Sequence, residues 1–88
     1  MPYIKKHKRP DLHEGIHGLT YRIDALGDLN FVITKLLLDK LPDEPCYNDY
    51  VSLLGTLEAV KFELYRKVIA RYEDKKCLEN GEVYGKSK

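Results

Sequence analysis

The feature that most constrains this chain is a long stretch in its last third in which nothing breaks a helix. It runs from Asn48 to Leu78 without a proline, and Asn80-Gly81 follows as a common helix stop. A helix of roughly 30 residues is about 45 Å long, whereas a compact chain of this size has a radius of gyration of about 12 Å. The helix must therefore project from the rest of the chain or pack against another chain.

Two shorter helices are predicted ahead of the long one. The first covers about residues 10–26, where apolar residues recur every three or four positions, and Gly27 is expected to end it. Asp28 is a suitable N-cap for the second helix. The second helix is expected to reach Leu41, because the following segment, 42–45, contains two prolines and two acidic residues. The third helix is expected to begin at Asn48 or Asp49.

The third helix has apolar residues on two of its sides, and a helix of this kind contacts two partners. We therefore predict an all-α fold of the helical-bundle type, with two shorter helices packed on a long C-terminal helix. A homodimer or a higher symmetric oligomer would bury the second apolar side with the same residues on every copy. We expect residues 1–88 to form a single helical domain, with a basic arm at 1–9 and a tail at 80–88.

Net charge and hydropathy argue against some classes of function, in particular broad binding to nucleic acid or to a membrane. The formal net charge is +1, from 15 basic and 14 acidic residues, so no broad field attracts nucleic acid or a membrane surface. No apolar stretch approaches the ~20 residues that span a bilayer, and the N-terminus lacks the apolar core of a signal peptide. We expect a cytoplasmic protein without membrane contact, in which Cys46 and Cys77 are free thiols.

Residues 13–17, His-Glu-Gly-Ile-His, match the H-E-x-x-H pattern of zinc peptidases. In those enzymes a helix places both histidines on one face as ligands, and the glutamate acts as general base. Here two glycines soften the helix, and His7 is the only other histidine of the chain. We expect no metal site and no cofactor. Capture of a stray metal ion by His13 and His17 stays open, and a metal-dependent hydrolase is a remote alternative.

A basic run, Lys5 to Arg9, lies in the N-terminal arm. Each lysine or arginine that contacts a phosphate adds salt-dependent affinity for nucleic acid. A nucleic-acid or host-protein binding module that uses this arm is therefore the second hypothesis. It ranks below ligand binding because the net charge is close to zero.

Cations and tyrosines cluster late in the third helix and in the tail. Guanidinium groups pair with phosphate, and tyrosine rings stack on flat ligands, so these are the components of a nucleotide-sized anion site. The alternative is a solvated face in which neighbouring charges pair along the helix. We expect residues 80–84 to fold back or to cross onto a neighbouring chain, and so to place Tyr84 against the late third helix. The predicted ligand-binding residues are Arg66, Arg71, Tyr72, Lys75, Lys76, Asn80 and Tyr84.

Four strings carry a resemblance to a known group of proteins: residues 27–34 (GDLNFVIT), 57–66 (LEAVKFELYR), 72–76 (YEDKK) and 80–84 (NGEVY). Together with the opening Met-Pro-Tyr-Ile, they resemble a family of short, functionally unassigned proteins of bacteria and tailed phages. The resemblance implies no activity, but small phage proteins commonly act by binding. We therefore expect a non-enzymatic, homo-oligomeric protein that binds or sequesters a small anionic, nucleotide-like ligand and so interferes with host signalling.

Overall fold

The computed structural model describes residues 1–85, and every regular element within them is helical. A 3-10 turn at Lys6–Lys8 leads into α1 (Arg9–Thr20), which is followed by α2 (Leu26–Asp39). The long C-terminal helix comprises α3 (Tyr47–Leu64), a π-helical segment (Tyr65–Ile69) and α4 (Ala70–Asn80), without a break between them. The longest dimension of the molecule is 54 Å. The all-α fold, the order of the three helices and the stop at Asn80 are confirmed.

The predicted boundary between the first two helices is wrong. α1 ends at Thr20, and α2 begins at Leu26, so Gly27 lies in the first turn of α2 and does not end α1. The cause is the Asp28 carboxylate, which accepts hydrogen bonds from the backbone amides of Asp24 and Ala25 at 3.1 Å each. Asp28 therefore acts from the third position of the helix and not from the N-cap.

The third helix begins in the same way. Its first residue is Tyr47, one position earlier than expected, and Asp49 occupies the third position. The Asp49 carboxylate accepts a hydrogen bond from the backbone amide of Cys46 at 2.9 Å. At both helix starts an acidic side chain satisfies amides that have no partner within the helix.

The helices do not enclose a core in the single chain. No side chain among the described residues is buried. The radius of gyration is 17.8 Å, compared with about 12 Å for a compact domain of this length. The chain exposes 8487 Å², whereas a compact monomer of 10.2 kDa exposes about 5,300 Å². The predicted close packing of the two shorter helices on the long one is therefore absent from the single chain.

A small set of larger aliphatic side chains is half-buried. They come from the end of α1, the α1–α2 junction, α2, the α2–α3 turn and α3. These residues are Leu19, Ile23, Val32, Leu37, Leu41, Leu53 and Leu57. A core that stays half exposed leaves much of its apolar surface in water, so additional packing would stabilise the fold. Within residues 1–85, no helix combines the length and the hydropathy needed to cross a membrane.

The N-terminal arm is docked onto the long helix. The Tyr3 hydroxyl donates a hydrogen bond to the Glu63 carboxylate, which also pairs with the Arg66 guanidinium at 2.9 Å. The Arg9 guanidinium donates two hydrogen bonds, at 3.0 and 2.8 Å, to the carbonyl oxygen of Ile4. The hydrogen bonds from Tyr3 and then Arg66 lower the pKa of the Glu63 carboxyl, so this carboxylate stays charged.

Candidate ligand-binding site at the C-terminal hook

The chain reverses direction directly after α4, and we call residues 81–85 the C-terminal hook. Gly81 has φ 99° and ψ 152°, a backbone conformation that is essentially restricted to glycine. The amide of Gly81 donates a hydrogen bond to the carbonyl oxygen of Cys77 at 2.8 Å, which closes the last turn of the helix. The glycine therefore ends the helix and sets the direction of the hook.

The Glu82 side chain ties the hook to the helix. One carboxylate oxygen accepts hydrogen bonds from the amides of Val83 (2.8 Å) and Tyr84 (3.1 Å). The other oxygen accepts a hydrogen bond from the Cys77 thiol at 3.2 Å. The hydrogen bond from the Tyr84 amide is the largest cause of the lowered pKa of Glu82, followed by that from Cys77. The hydrogen bond to Glu82 also raises the pKa of the Cys77 thiol. The carboxyl thus stays ionised and the thiol stays protonated.

The π-helical segment directs Tyr65 toward the hook. The Tyr65 hydroxyl donates a hydrogen bond to the Glu73 carboxylate, eight residues further along the helix. In a regular α-helix, residues seven apart share a face, because seven residues make almost two full turns. The wider π turn adds about one residue to this spacing, so positions 65 and 73 fall on the same side. The hydrogen bond to Glu73 raises the pKa of the Tyr65 hydroxyl.

Together the helix and the hook form an open cavity of about 680 Å³. This volume lies within the range of about 300–1,000 Å³ that is usual for small-molecule sites. Three tyrosine side chains contribute to its wall, and its charged groups are one lysine and three carboxylates. The lining residues are Tyr65, Tyr72, Glu73, Asp74, Lys76, Cys77, Asn80, Gly81, Glu82, Val83 and Tyr84.

The structure brings four of the seven predicted site residues to this cavity: Tyr72, Lys76, Asn80 and Tyr84. The tail folds back as expected, and Tyr84 shares the cavity with Tyr72, although about 75% of Tyr84 is exposed. The Lys76 ammonium lies 5.7 Å from the centre of the Tyr72 ring and pairs with Glu79 at 3.1 Å. This lysine is therefore already oriented over an aromatic wall of the cavity.

The other three predicted residues lie outside the cavity wall. The Arg66 guanidinium is paired with Glu63, on the part of the long helix that contacts the N-terminal arm. Arg71 and Lys75 are exposed and lie one helical turn apart, next in sequence to Tyr72 and Lys76. At about 100° per residue, both lie on the side of α4 that is turned away from the centre of the cavity wall.

The predicted site left out six lining side chains: Tyr65, Glu73, Asp74, Cys77, Glu82 and Val83. A signal existed for Glu82, since an acidic residue directly after a helix-ending glycine is placed to accept hydrogen bonds from the free amides of the turn. Tyr65 lies seven residues before Tyr72, so helical periodicity places it on the same face. Glu73 gave no such signal, because only the π turn brings it within hydrogen-bonding distance of Tyr65.

The remaining sequence candidates lie apart from this cavity. His13 and His17 are on α1, and the His17 ring packs edge-on against Tyr21 at 5.1 Å between centroids. Across residues 1–85, no group of three or more His, Cys, Asp or Glu side chains is placed to hold a metal ion. Both cysteines are free thiols, Cys46 exposed and Cys77 half-buried.

Comparison with known proteins gives a family and no function. A profile described as a domain of unknown function, DUF6899, matches residues 1–83, which is nearly the whole chain. No curated protein and no solved structure matches the chain significantly. On the profile match, the chain belongs to the DUF6899 family of domains of unknown function.

Proposed function

We propose that this chain is a non-enzymatic, homo-oligomeric cytoplasmic binding protein, and that the cavity at the C-terminal hook binds a small anionic, nucleotide-like ligand. Sequestration of the ligand would be its mode of action, with interference in host signalling as the consequence. The observation that carries the proposal is the cavity itself. It combines tyrosine rings, an oriented lysine and an asparagine amide in a volume suited to one nucleotide.

The aromatic wall supports a planar ligand. Tyr72 and Tyr84 offer ring faces for stacking, which contributes about 1–3 kcal/mol per base in proteins that bind single-stranded nucleic acid. Asn80 offers both a donor and an acceptor to the edge of a base. The carboxylates of Glu73 and Asp74 can accept hydrogen bonds from exocyclic amino groups, so acidic side chains are compatible with the base end of a nucleotide.

The phosphate end needs positive charge. Inside the cavity Lys76 is outnumbered by the three carboxylates, of which Glu82 is engaged by the hook and Glu73 by Tyr65. Arg71 and Lys75 are exposed on the other side of the same helix. The phosphate would therefore pair with Lys76, and the affinity of the ligand would fall with rising salt.

The directions of the pKa shifts support binding over acid–base catalysis. The Tyr65 and Cys77 pKa values are raised and the Glu82 pKa is lowered, each mainly by a hydrogen bond. All three groups are therefore moved away from neutral pH, whereas catalytic acids and bases are tuned toward it. Groups locked in one protonation state are suited to hold a ligand.

Isothermal calorimetry of the full chain against mono-, di- and cyclic nucleotides tests the proposal. We expect binding of at least one class and a roughly tenfold loss of affinity in Tyr84→Ala, because a stacking contact is removed. Tyr21→Ala is the matched control, since Tyr21 is 77% exposed and lies at the end of α1, far from the hook in the sequence. If no nucleotide gives a heat of binding, the nucleotide proposal is wrong. If Tyr84→Ala and Tyr21→Ala lose affinity equally, the hook is not the binding site.

One observation favours the second candidate, a nucleic-acid or host-protein binding module. The contacts of Tyr3 and Arg9 hold the N-terminal arm in place while Lys5, Lys6 and Lys8 stay exposed. Replacing these three lysines with glutamine should abolish salt-sensitive retention on DNA and leave nucleotide binding unchanged. Retention that survives the triple replacement would eliminate the arm as a nucleic-acid site.

A further inference from the structure

Apolar side chains lie on two sides of α3. One side carries Leu53 and Leu57, which are half-buried, together with Val60, Leu64 and Val68, which line an apolar cavity of about 310 Å³ beneath Pro2 and Tyr3. A further set lies roughly 110° around the helix from Leu53 and Leu57, at about 100° per residue. We call this set the outer stripe: Tyr47, Val51, Leu54 and Phe62, which are 80%, 43%, 65% and 62% exposed. A single apolar side is normal for a helix on the surface of a protein, so a second apolar side indicates a second packing partner.

The exposed area indicates how much surface a partner would have to cover. The chain exposes 8487 Å², which is roughly 3,200 Å² more than a compact monomer of its mass. Permanent complexes bury about 2,000–5,000 Å² in total, or about 1,000–2,500 Å² per chain. The excess is large enough for such an interface. It also involves exposed apolar side chains on α1 and α2, among them Ile16 (57%) and Phe31 (65%), so a short peptide could not cover it.

The charged pair of the outer stripe can be matched by a second copy. Glu58 and Lys61 lie between Leu54 and Phe62 and pair with each other at 3.0 Å. Antiparallel packing with the twofold axis beside residues 59 and 60 would place Glu58 of each copy opposite Lys61 of the other. Gly55 borders the stripe, and a Cβ atom placed there would meet nothing within 4 Å in the single chain. A second backbone can therefore approach closely at this point.

We propose that a second copy of this chain packs antiparallel along the outer stripe of α3, and that the hydrophobic core of the protein is completed between the two chains. This inference rests on the oligomeric part of the proposed function and specifies its surface. Each copy presents the same stripe, as a twofold interface requires. The charged pair at its centre fits a protein surface of matching charge better than a lipid surface.

Sedimentation equilibrium of Leu54→Lys tests the surface. We expect wild type to have a mass that is a multiple of 10.2 kDa and the variant to dissociate at least tenfold more readily, because a charge would lie inside the interface. Leu78→Lys is the matched control, since Leu78 is 89% exposed on α4 outside the stripe, and it should assemble as wild type does.

Gly55→Leu provides a second test that does not depend on an added charge. In the single chain the new side chain has open space, so helix content by circular dichroism should be kept, while close approach of a second copy is blocked. We expect at least tenfold weaker association than in Gly18→Leu, whose site in α1 is equally open. Equal association of both variants would overturn the close approach at Gly55.

The outcomes separate this inference from the proposed function. A monomeric wild type would overturn both the interface and the oligomeric part of the function. A wild-type oligomer that neither Leu54→Lys nor Gly55→Leu weakens would overturn the interface alone. Assembly that depends on the stripe, in a protein that binds no nucleotide, would support the interface and end the ligand proposal.

Discussion

The C-terminal hook and the outer stripe of α3 are both exposed in the single chain, yet they are completed in different ways. The hook is held by hydrogen bonds among residues that lie within seven positions of one another in the sequence, centred on Glu82. The outer stripe has only apolar side chains and a solvated ion pair. Hydrogen bonds of this local kind form wherever the chain turns, whereas apolar side chains are stabilised only by removal from water. The hook can therefore form in one chain, whereas we propose that a second copy covers the stripe.

The largest effect on the hook should come from its hinge. Gly81→Val forces a β-branched side chain into a backbone conformation with φ 99°, and such strain costs about 1–3 kcal/mol. We expect the hook to open, so that backbone amides at residues 82–84 exchange with deuterium at least several-fold faster and nucleotide affinity falls. Gly27→Ala, in the regular helical part of α2, is the control and should not affect the hook.

The assembly state of the Gly81→Val variant tests whether the hook and the outer stripe are independent. If hook and outer stripe are independent, its sedimentation mass should equal that of wild type. A monomeric Gly81→Val protein would show instead that the hook belongs to the interface between copies, and the distinction between the two regions would fail.

A smaller effect is expected at the start of α2, where another carboxylate organises a turn. Asp28→Ala removes the acceptor for the amides of Asp24 and Ala25, and should lower the thermal midpoint by about 4–8 °C at fixed chain concentration. Asp43→Ala, in the turn between α2 and α3, is the control. Circular dichroism melts at equal chain concentration provide the measurement, since assembly makes the midpoint concentration-dependent.

The same variant has a defined pH dependence. The backbone hydrogen bonds from Ala25 and Asp24 lower the pKa of Asp28 below its ordinary value of 3.8. A carboxyl whose pKa is lowered by folding stabilises the folded state above its unfolded pKa and loses this contribution as pH falls through its folded pKa. The difference between wild type and Asp28→Ala should therefore be full at pH 6 and shrink steadily below about pH 4. A difference that does not change with pH would contradict the role of the carboxylate.

The smallest effect concerns the thiol of the hook. In a Cys46→Ser background, Glu82→Gln removes the carboxylate whose hydrogen bond, and to a smaller extent whose charge, raises the pKa of Cys77. The fraction of thiolate at pH 8 should rise, so that Cys77 reacts about two- to threefold faster with a disulfide reagent. Glu79→Gln is the matched control, because Glu79 lies on the same helix and pairs with Lys76. Equal rates in the two variants would show that the Glu82 contact does not control the thiol.

Sequence analysis predicted well those features of the fold that depend on a local signal. The long helix, its end at Asn80-Gly81 and the return of Tyr84 depend on residues close together in the chain. The start of α2 was misplaced, because Asp28 is as good an acceptor at the third helical position as at the N-cap, and Ala25 carries no polar side chain to mark the true cap. An acidic residue near a helix start thus fixes the boundary only to within about three residues.

Only some of the residues that line the candidate site were predicted from the sequence, and the omission of the others has a structural cause. Tyr72, Lys76 and Asn80 recur every four residues, so ordinary helical periodicity places them on one face. Glu73 comes within hydrogen-bonding distance of Tyr65 only because of the π turn, which helical periodicity does not reveal. The missing core of the single chain was predictable only in part. Two apolar sides on one helix indicated a partner, but not that the shorter helices would leave every side chain among residues 1–85 at least partly exposed.

The central claim is that the core is completed by a second copy of the chain along the outer stripe of α3. Sedimentation equilibrium of the full wild-type chain over micromolar concentrations tests it most directly, with Leu54→Lys measured in parallel. The account predicts a wild-type mass of at least twice 10.2 kDa and a variant that shifts toward the single-chain mass. A wild-type protein that sediments as a single 10.2 kDa chain and unfolds cooperatively, with a midpoint independent of concentration, would contradict it.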